Sequence, residues 1–147
     1  MIKQYVQEAL VTYAHRAFFA SAVMLGAANE RLTYLTMNAI QNSTREAQRK
    51  KRIEKSVTTD RKLGEMFKLI DAAVSDAKAG GMPYVVYEGS ERHLLSIQEA
   101  IRVQRNDAVH PQLGQVTPDM LRLALAAFPA ACKKMYDLMF WFQQNSI

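Results

Sequence analysis

The sequence predicts an all-α fold, a bundle of four or five helices in a single domain over residues 1–147. Apolar and small residues recur at intervals of three and four along most of the chain, the pattern of helices that bury one stripe. The one stretch that reads as extended, Tyr84–Val85–Val86–Tyr87, is a short isolated piece, and a single strand makes no stable sheet. With 49% apolar and 22% charged residues, the chain has globular composition. At this length it can bury roughly two thirds of its unfolded surface.

Taken in order, Tyr5, Ala9 and Tyr13 suggest a helix, so residues 1–17 are either a first helix or an N-terminal extension of the bundle. From Phe18 the stripe Phe18, Ala22, Leu25, Ala28, Leu32 and Leu35 marks a long amphipathic helix. After Asn42–Ser43–Thr44 a basic segment continues in helical character, followed by Leu63, Met66, Phe67, Ile70 and Val74 at helical spacing. Gly80, Gly81 and Pro83 end that helix. Ser90 offers an N-cap and Glu91 an acid in the first turn of a helix running through Leu94, Gln98, Ile101 and Arg105 towards Val109. Pro111 stops it. Thr117–Pro118–Asp119 opens the last helix with a cap, a first-position proline and an acid at the positive end of the dipole. Its seam is Leu121, Leu125, Phe128, Cys132, Met135, Leu138 or Met139, and Phe142, and Pro129 inside it removes one backbone hydrogen bond and bends the axis.

Several kinds of chemistry are excluded at this level. One cysteine, Cys132, makes neither an internal disulfide nor a cysteine-based zinc site and fits a reducing compartment. His15, His93 and His110 stand too far apart in sequence for metal-ligand spacing, no helix carries a carboxylate pair, and no metal or cofactor is expected. Gly80–Gly81 is followed by Met82–Pro83 and so is no phosphate-cradling loop. No apolar run reaches a spanning length of about 18 residues. The start Met1–Ile2–Lys3–Gln4–Tyr5 lacks the apolar core of a signal peptide. A cytoplasmic protein without a membrane partner is therefore expected.

Charge is concentrated. Arg45, Arg49, Lys50, Lys51, Arg52, Lys55, Arg61 and Lys62, against Glu46, Glu54 and Asp60, give one window a charge of +5, equal to the net charge of the whole chain. Such a window is either a stripe for a polyanion, with Arg49, Lys50, Lys51, Arg52 and Lys55 as RNA contacts, or a solvated helix face.

The helix before Pro111 holds an anomaly. At about 100° per residue, Arg105 lies roughly 20° from Leu94 and about 40° from Ile101, on the apolar stripe. A desolvated guanidinium needs a partner. Either a carboxylate such as Glu30 or Glu99 neutralises it, or it lines a cleft or interface where an anion does. His110, five residues on at the helix C-terminus, brings a titratable group onto the same ridge, where it either caps carbonyls or serves chemistry. Metal-independent RNA cleavage needs a base for the 2′-hydroxyl, an acid for the leaving oxygen and a cation for the phosphorane. One Arg–His pair supplies half of that, and two copies across a two-fold axis supply the rest. Phe140, Trp141 and Phe142 read as core or dimer seam rather than a base-stacking platform, and His15 and His93 as surface or packing residues.

The run Arg105–Asn106–Asp107–Ala108–Val109–His110, followed by Pro111 and a long apolar last helix, resembles the Arg-x4–6-His motif of HEPN domains. The stretch from Ser21 through Gly26 to Glu30 resembles an early helix of bacterial members, where small residues precede a glutamate. The resemblance covers most of the chain from about Phe18. It implies a HEPN-like bundle that dimerises through the motif helices and, in many members, a composite endoribonuclease centre in a toxin or phage-defence setting, with an antitoxin or defence-system partner. Under it Arg105 binds the scissile phosphate, His110 is acid or base, and Asn106 orients the site. Asp107 pairs with Arg102 or holds the turn, and Glu30 contributes from the facing helix. Toxin branches silenced by nucleotide transfer carry a tyrosine two residues after the histidine. Gln112 stands there in this chain, so that regulation is not implied.

Overall fold

In the computed structural model the structure describes residues 1–60, 62–90, 94–110 and 116–147. Arg61, Glu91, His93, Pro111 and Gln112, on which readings above rest, lie outside the described residues. Among the described residues every regular element is helical: α1 (Ile2–Ala14), α2 (Phe18–Ser43), α3 (Ala47–Lys55), a π-helical turn (Ser56–Asp60), α4 (Leu63–Ala79), α5 (Tyr84–Tyr87), α6 (Leu95–Val109) and α7 (Pro118–Gln144). The all-α class holds, with seven α-helices among the described residues where the periodicity suggested four or five.

The chain forms two compact units, one of Met1–Leu32 with Ser96–Ala131, the other of Thr33–Leu95 with Cys132–Ile147. In the first, α1 is a separate helix. Its end is a Schellman closure in which Ala17 N–H donates to the Thr12 carbonyl at 2.8 Å and Arg16 N–H to Tyr13 at 2.9 Å. Arg16 takes the left-handed position, φ 61°. The Ser21 hydroxyl donates to the Ala9 carbonyl at 2.7 Å, tying α2 back to α1. Ala22, Leu25, Ala28 and Leu32 of the predicted stripe are buried, together with Ile101, Leu121, Ala124 and Phe128. Thr117 caps α7, its hydroxyl accepting from Met120 N–H at 3.3 Å. α7 continues through Pro129 as one helix.

The second unit buries Met37, Ile40, Met66, Ile70, Met135 and Phe142 among others. α4 closes with the same Schellman pattern as α1, this time with Gly81 at φ 97° and Met82 N–H donating to Ala77 at 2.9 Å. Residues Tyr84–Tyr87 are not extended. They make one helical turn, closed by Glu88 N–H to the Tyr84 carbonyl at 2.8 Å, and Lys134 Nζ donates to the carbonyls of Val85 at 3.0 Å and Val86 at 3.2 Å. A β-branched pair without a partner strand finds its hydrogen bonds locally and from that lysine. Ser90, the expected N-cap, is itself in a π-type helical turn, and residues 91–93 of the turn it was to cap lie outside the described residues. The Ser90 hydroxyl donates to the Tyr87 carbonyl at 2.6 Å. Among the described residues no helix is long and apolar enough to cross a membrane.

Candidate functional site

Arg105, Asn106, Asp107, His110, Arg102 and Glu30 all belong to the first unit. There α2 and α6 run antiparallel: Gly26 meets Arg105, and three residues on, Asn29 Nδ2 donates to the Gln98 carbonyl at 3.4 Å. The face that α6 turns inward is unusually polar. Ile101 is buried on it, but so are Gln98 and Gln104, and Arg105 is half-buried beside them. Neither amide atom of Gln98, nor Oε1 of Gln104, has a hydrogen-bond partner among the described residues.

Arg105 occupies the stripe position that its angle predicts. Its aliphatic stem crosses α2 at Gly26, and its Nη1 donates to Asn106 Oδ1 at 3.3 Å. Among the described residues it forms no ion pair; neither Glu30 nor Glu99 neutralises it. Glu99 is taken by Arg102, whose Nε donates to Oε2 at 2.8 Å while Nη2 donates to Oε1. That hydrogen bond, outweighing desolvation and reinforced by the guanidinium charge, holds the Glu99 carboxyl below its usual value. The same bond raises Arg102. Of the two expectations for Asp107, the pairing with Arg102 is corrected, because Glu99 one turn earlier presents both oxygens to the fork. Asp107 is half-buried and makes no ion pair among the described residues. Glu30 is half-buried one turn beyond Gly26, at the level of α6 towards Gln98 and away from His110.

His110 is exposed, and its backbone N–H donates to the Asn106 carbonyl at 2.8 Å, so the chain is still helical where the side chain leaves it. Five residues advance a helix by about 7.5 Å and turn it by about 140°. Arg105 and His110 thus sit on different faces of α6 and not on one ridge.

The basic segment belongs to the second unit. On α3 only Ile53 is buried. Arg49, next to Ile53 around the axis, bonds Asp76 of α4 at 2.6 Å and is the least exposed of the five basic residues expected to contact RNA. Lys50, Lys51, Arg52 and Lys55 are exposed, and Lys51, Arg52 and Lys55 fall within about 100° of one another as a ridge. Nearby, Glu65 titrates below its usual value, chiefly through its hydrogen bond from Lys68, with Arg52 and Lys62 adding to the field. Arg49, Arg52, Ile53, Leu69 and Asp76 line a cavity of about 480 Å³ in this unit.

Of the three aromatic residues near the C-terminus, Phe142 is core and Trp141 packs edge-on against it at 5.3 Å. Phe140 is 62% exposed, so of the two expected roles, core or dimer seam, it does not fill the first. With Leu35, Tyr136, Asp137, Met139 and Gln143 it lines a cavity of about 510 Å³. His15 is exposed. Among the described residues no three His, Cys, Asp or Glu side chains gather at metal-binding distance. Sequence reasoning missed two residues that shape these regions. Asp76 binds Arg49 across two helices, which no spacing rule reports. Gly26 carried a signal, a glycine in the middle of a long helix, but not what it faces.

Comparison of the chain with protein families, with curated proteins and with solved structures finds no match.

Proposed function

We propose that this chain is a metal-independent endoribonuclease of the HEPN type, cutting single-stranded or loop RNA as a two-fold homodimer in a toxin or phage-defence setting. The observation that carries the reading is Arg105: a half-buried guanidinium with no carboxylate partner among the described residues, bonded only to Asn106 and followed by an exposed histidine. A guanidinium so placed takes an anion, and its fork matches two phosphate oxygens. The rotation between Arg105 and His110 leaves one copy without a complete centre, and a second copy supplies the complement.

In the proposed reaction the 2′-oxygen attacks the adjacent phosphorus and the bond to the 5′-oxygen breaks. One His110 takes the 2′-hydroxyl proton and the partner copy's histidine returns a proton to the leaving 5′-oxygen, giving a 2′,3′-cyclic phosphate and a 5′-hydroxyl. Arg105 neutralises the phosphorane, and Asn106 restrains Arg105. Loops are favoured because in-line attack needs a freely rotating backbone. Lys50, Lys51, Arg52 and Lys55, in the second unit, bind RNA phosphates along a ridge of their own.

Labelled RNA incubated with the protein in EDTA tests this beside Arg105→Ala and His110→Ala. Cleavage to cyclic-phosphate ends in the parent, abolished in both variants while folding and dimerisation persist, is the expected result. Equal background in all three refutes it. A second reading, a non-catalytic dimerisation or nucleotide- and RNA-binding module, is favoured by the same separation of Arg105 and His110 by about 140° around the axis. RNA retention without cleavage is its signature.

A further inference from the structure

We propose that Gly26 is the positioning residue of Arg105, the seat on which the guanidinium is aimed; this rests on the reading of Arg105 as the phosphate-binding cation. Gly26 is buried and stands in the interior of α2, where glycine is the poorest helix former after proline. Its placement is explained by what lies against it. A β-carbon at position 26 would fall 2.6 Å from Arg105 Cβ, closer still to Cγ, and 3.6 Å from Cδ. These are the root atoms of the arginine, not its mobile tip, and Cβ, fixed to the backbone, cannot swing aside without one of the two helices moving. By contrast, nothing lies within 4 Å of a β-carbon built at Gly64, Gly81 or Gly89. Among these positions only Gly26 makes room for a side chain of another helix.

Seating the stem has a chemical consequence. An arginine free along its whole length samples many rotamers. One clamped at Cβ and Cγ, and restrained at Nη1 by Asn106, presents its fork in a narrow cone. Gly26 touches no substrate in this scheme; it acts through Arg105.

The test reads the seat and the chemistry separately. Phenylglyoxal modification of each arginine is followed by mass spectrometry in the parent protein and in Gly26→Ala. In the parent, Arg105 is expected to react several-fold more slowly than Arg122, which is well exposed. In Gly26→Ala its rate is expected to rise at least threefold. RNA cleavage by that variant is expected to fall tenfold or more in kcat with KM changed less than threefold. A fall in Tm with Arg105 reactivity and kcat both unchanged overturns the proposal and leaves Gly26 as packing alone. Should Gly26→Ala fail to fold, the comparison of Arg105 with Arg122 in the parent still decides the seat, and equal rates overturn it. If the parent cleaves no RNA, the nuclease reading fails while the modification rates still report the seat.

Discussion

Replacing Gln98 with methionine is expected to stabilise the protein, contrary to the usual outcome of a core substitution. Gln98 is 0% exposed, and both its Oε1 and its Nε2 lack a hydrogen-bond partner among the described residues. The bond that Asn29 makes to this residue ends on the backbone carbonyl and survives the change. Methionine keeps the unbranched stem and a nearly equal helix propensity, so neither shape nor backbone preference alters the balance. What remains is the desolvation of an unsatisfied amide, about 1–3 kcal/mol. For 147 residues the melting entropy is about 0.3 kcal/mol/K, from roughly 2.1 cal/mol/K per residue. The gain therefore appears as a rise in Tm of about 3–10 °C. Calorimetry measures it, and urea unfolding with an unchanged m-value shows that the denatured state is not the cause. A fall in Tm would refute the reasoning, because it would mean that the amide is bonded and that α6 holds a satisfied polar network.

Other consequences are independent of that one. Lys51→Gln, Arg52→Gln and Lys55→Gln should each flatten the dependence of log K on log salt for single-stranded RNA by about 0.7. Arg49→Gln should leave that slope unchanged while lowering stability by at most about 1 kcal/mol, since Arg49 is bound to Asp76; an equal slope change for Arg49 would refute its exclusion from the ridge. Arg16→Gly should raise stability by roughly 1 kcal/mol in denaturant unfolding by relieving the left-handed position, whereas Arg16→Val lowers it. The Glu99 carboxyl is held below its unfolded value by its hydrogen bond from Arg102, so its contribution is complete above the ordinary carboxylate pKa of about 4.3 and is lost as pH falls through the folded value. The deficit of Glu99→Gln, about 0.5 kcal/mol at pH 7 for a half-exposed pair, should close towards acid. A deficit constant with pH would argue against the pairing.

Two helix ends show what local sequence reports and what it leaves silent. α1 and α4 finish with the same backbone closure, but Gly81 announces the left-handed residue and Arg16 does not, so one boundary was legible and the other was not. Likewise Thr117–Pro118 is a local signal and was read correctly, while Tyr84–Tyr87 depends on Lys134, 48 and 49 residues away from the carbonyls it caps. Ion pairs divide along the same line. Arg102 meets Glu99 three residues back, within reach of a spacing rule; Arg49 meets Asp76 through the packing of two helices. Arg105 lies between these cases. Periodicity placed it on the inward stripe, and that stripe is where the structure has it. Periodicity also implied that the stripe was apolar, and there it misled, since Gln98, Gln104 and Arg105 leave this face little to gain from burial. Protein cores accept such a face where something other than stability holds it in place. If Gln98 is tuned for stability like its neighbours, methionine there will be neutral or harmful. If α6 trades stability for its guanidinium, the same substitution will strengthen the fold, and Arg105 will be the residue that explains why the trade persists.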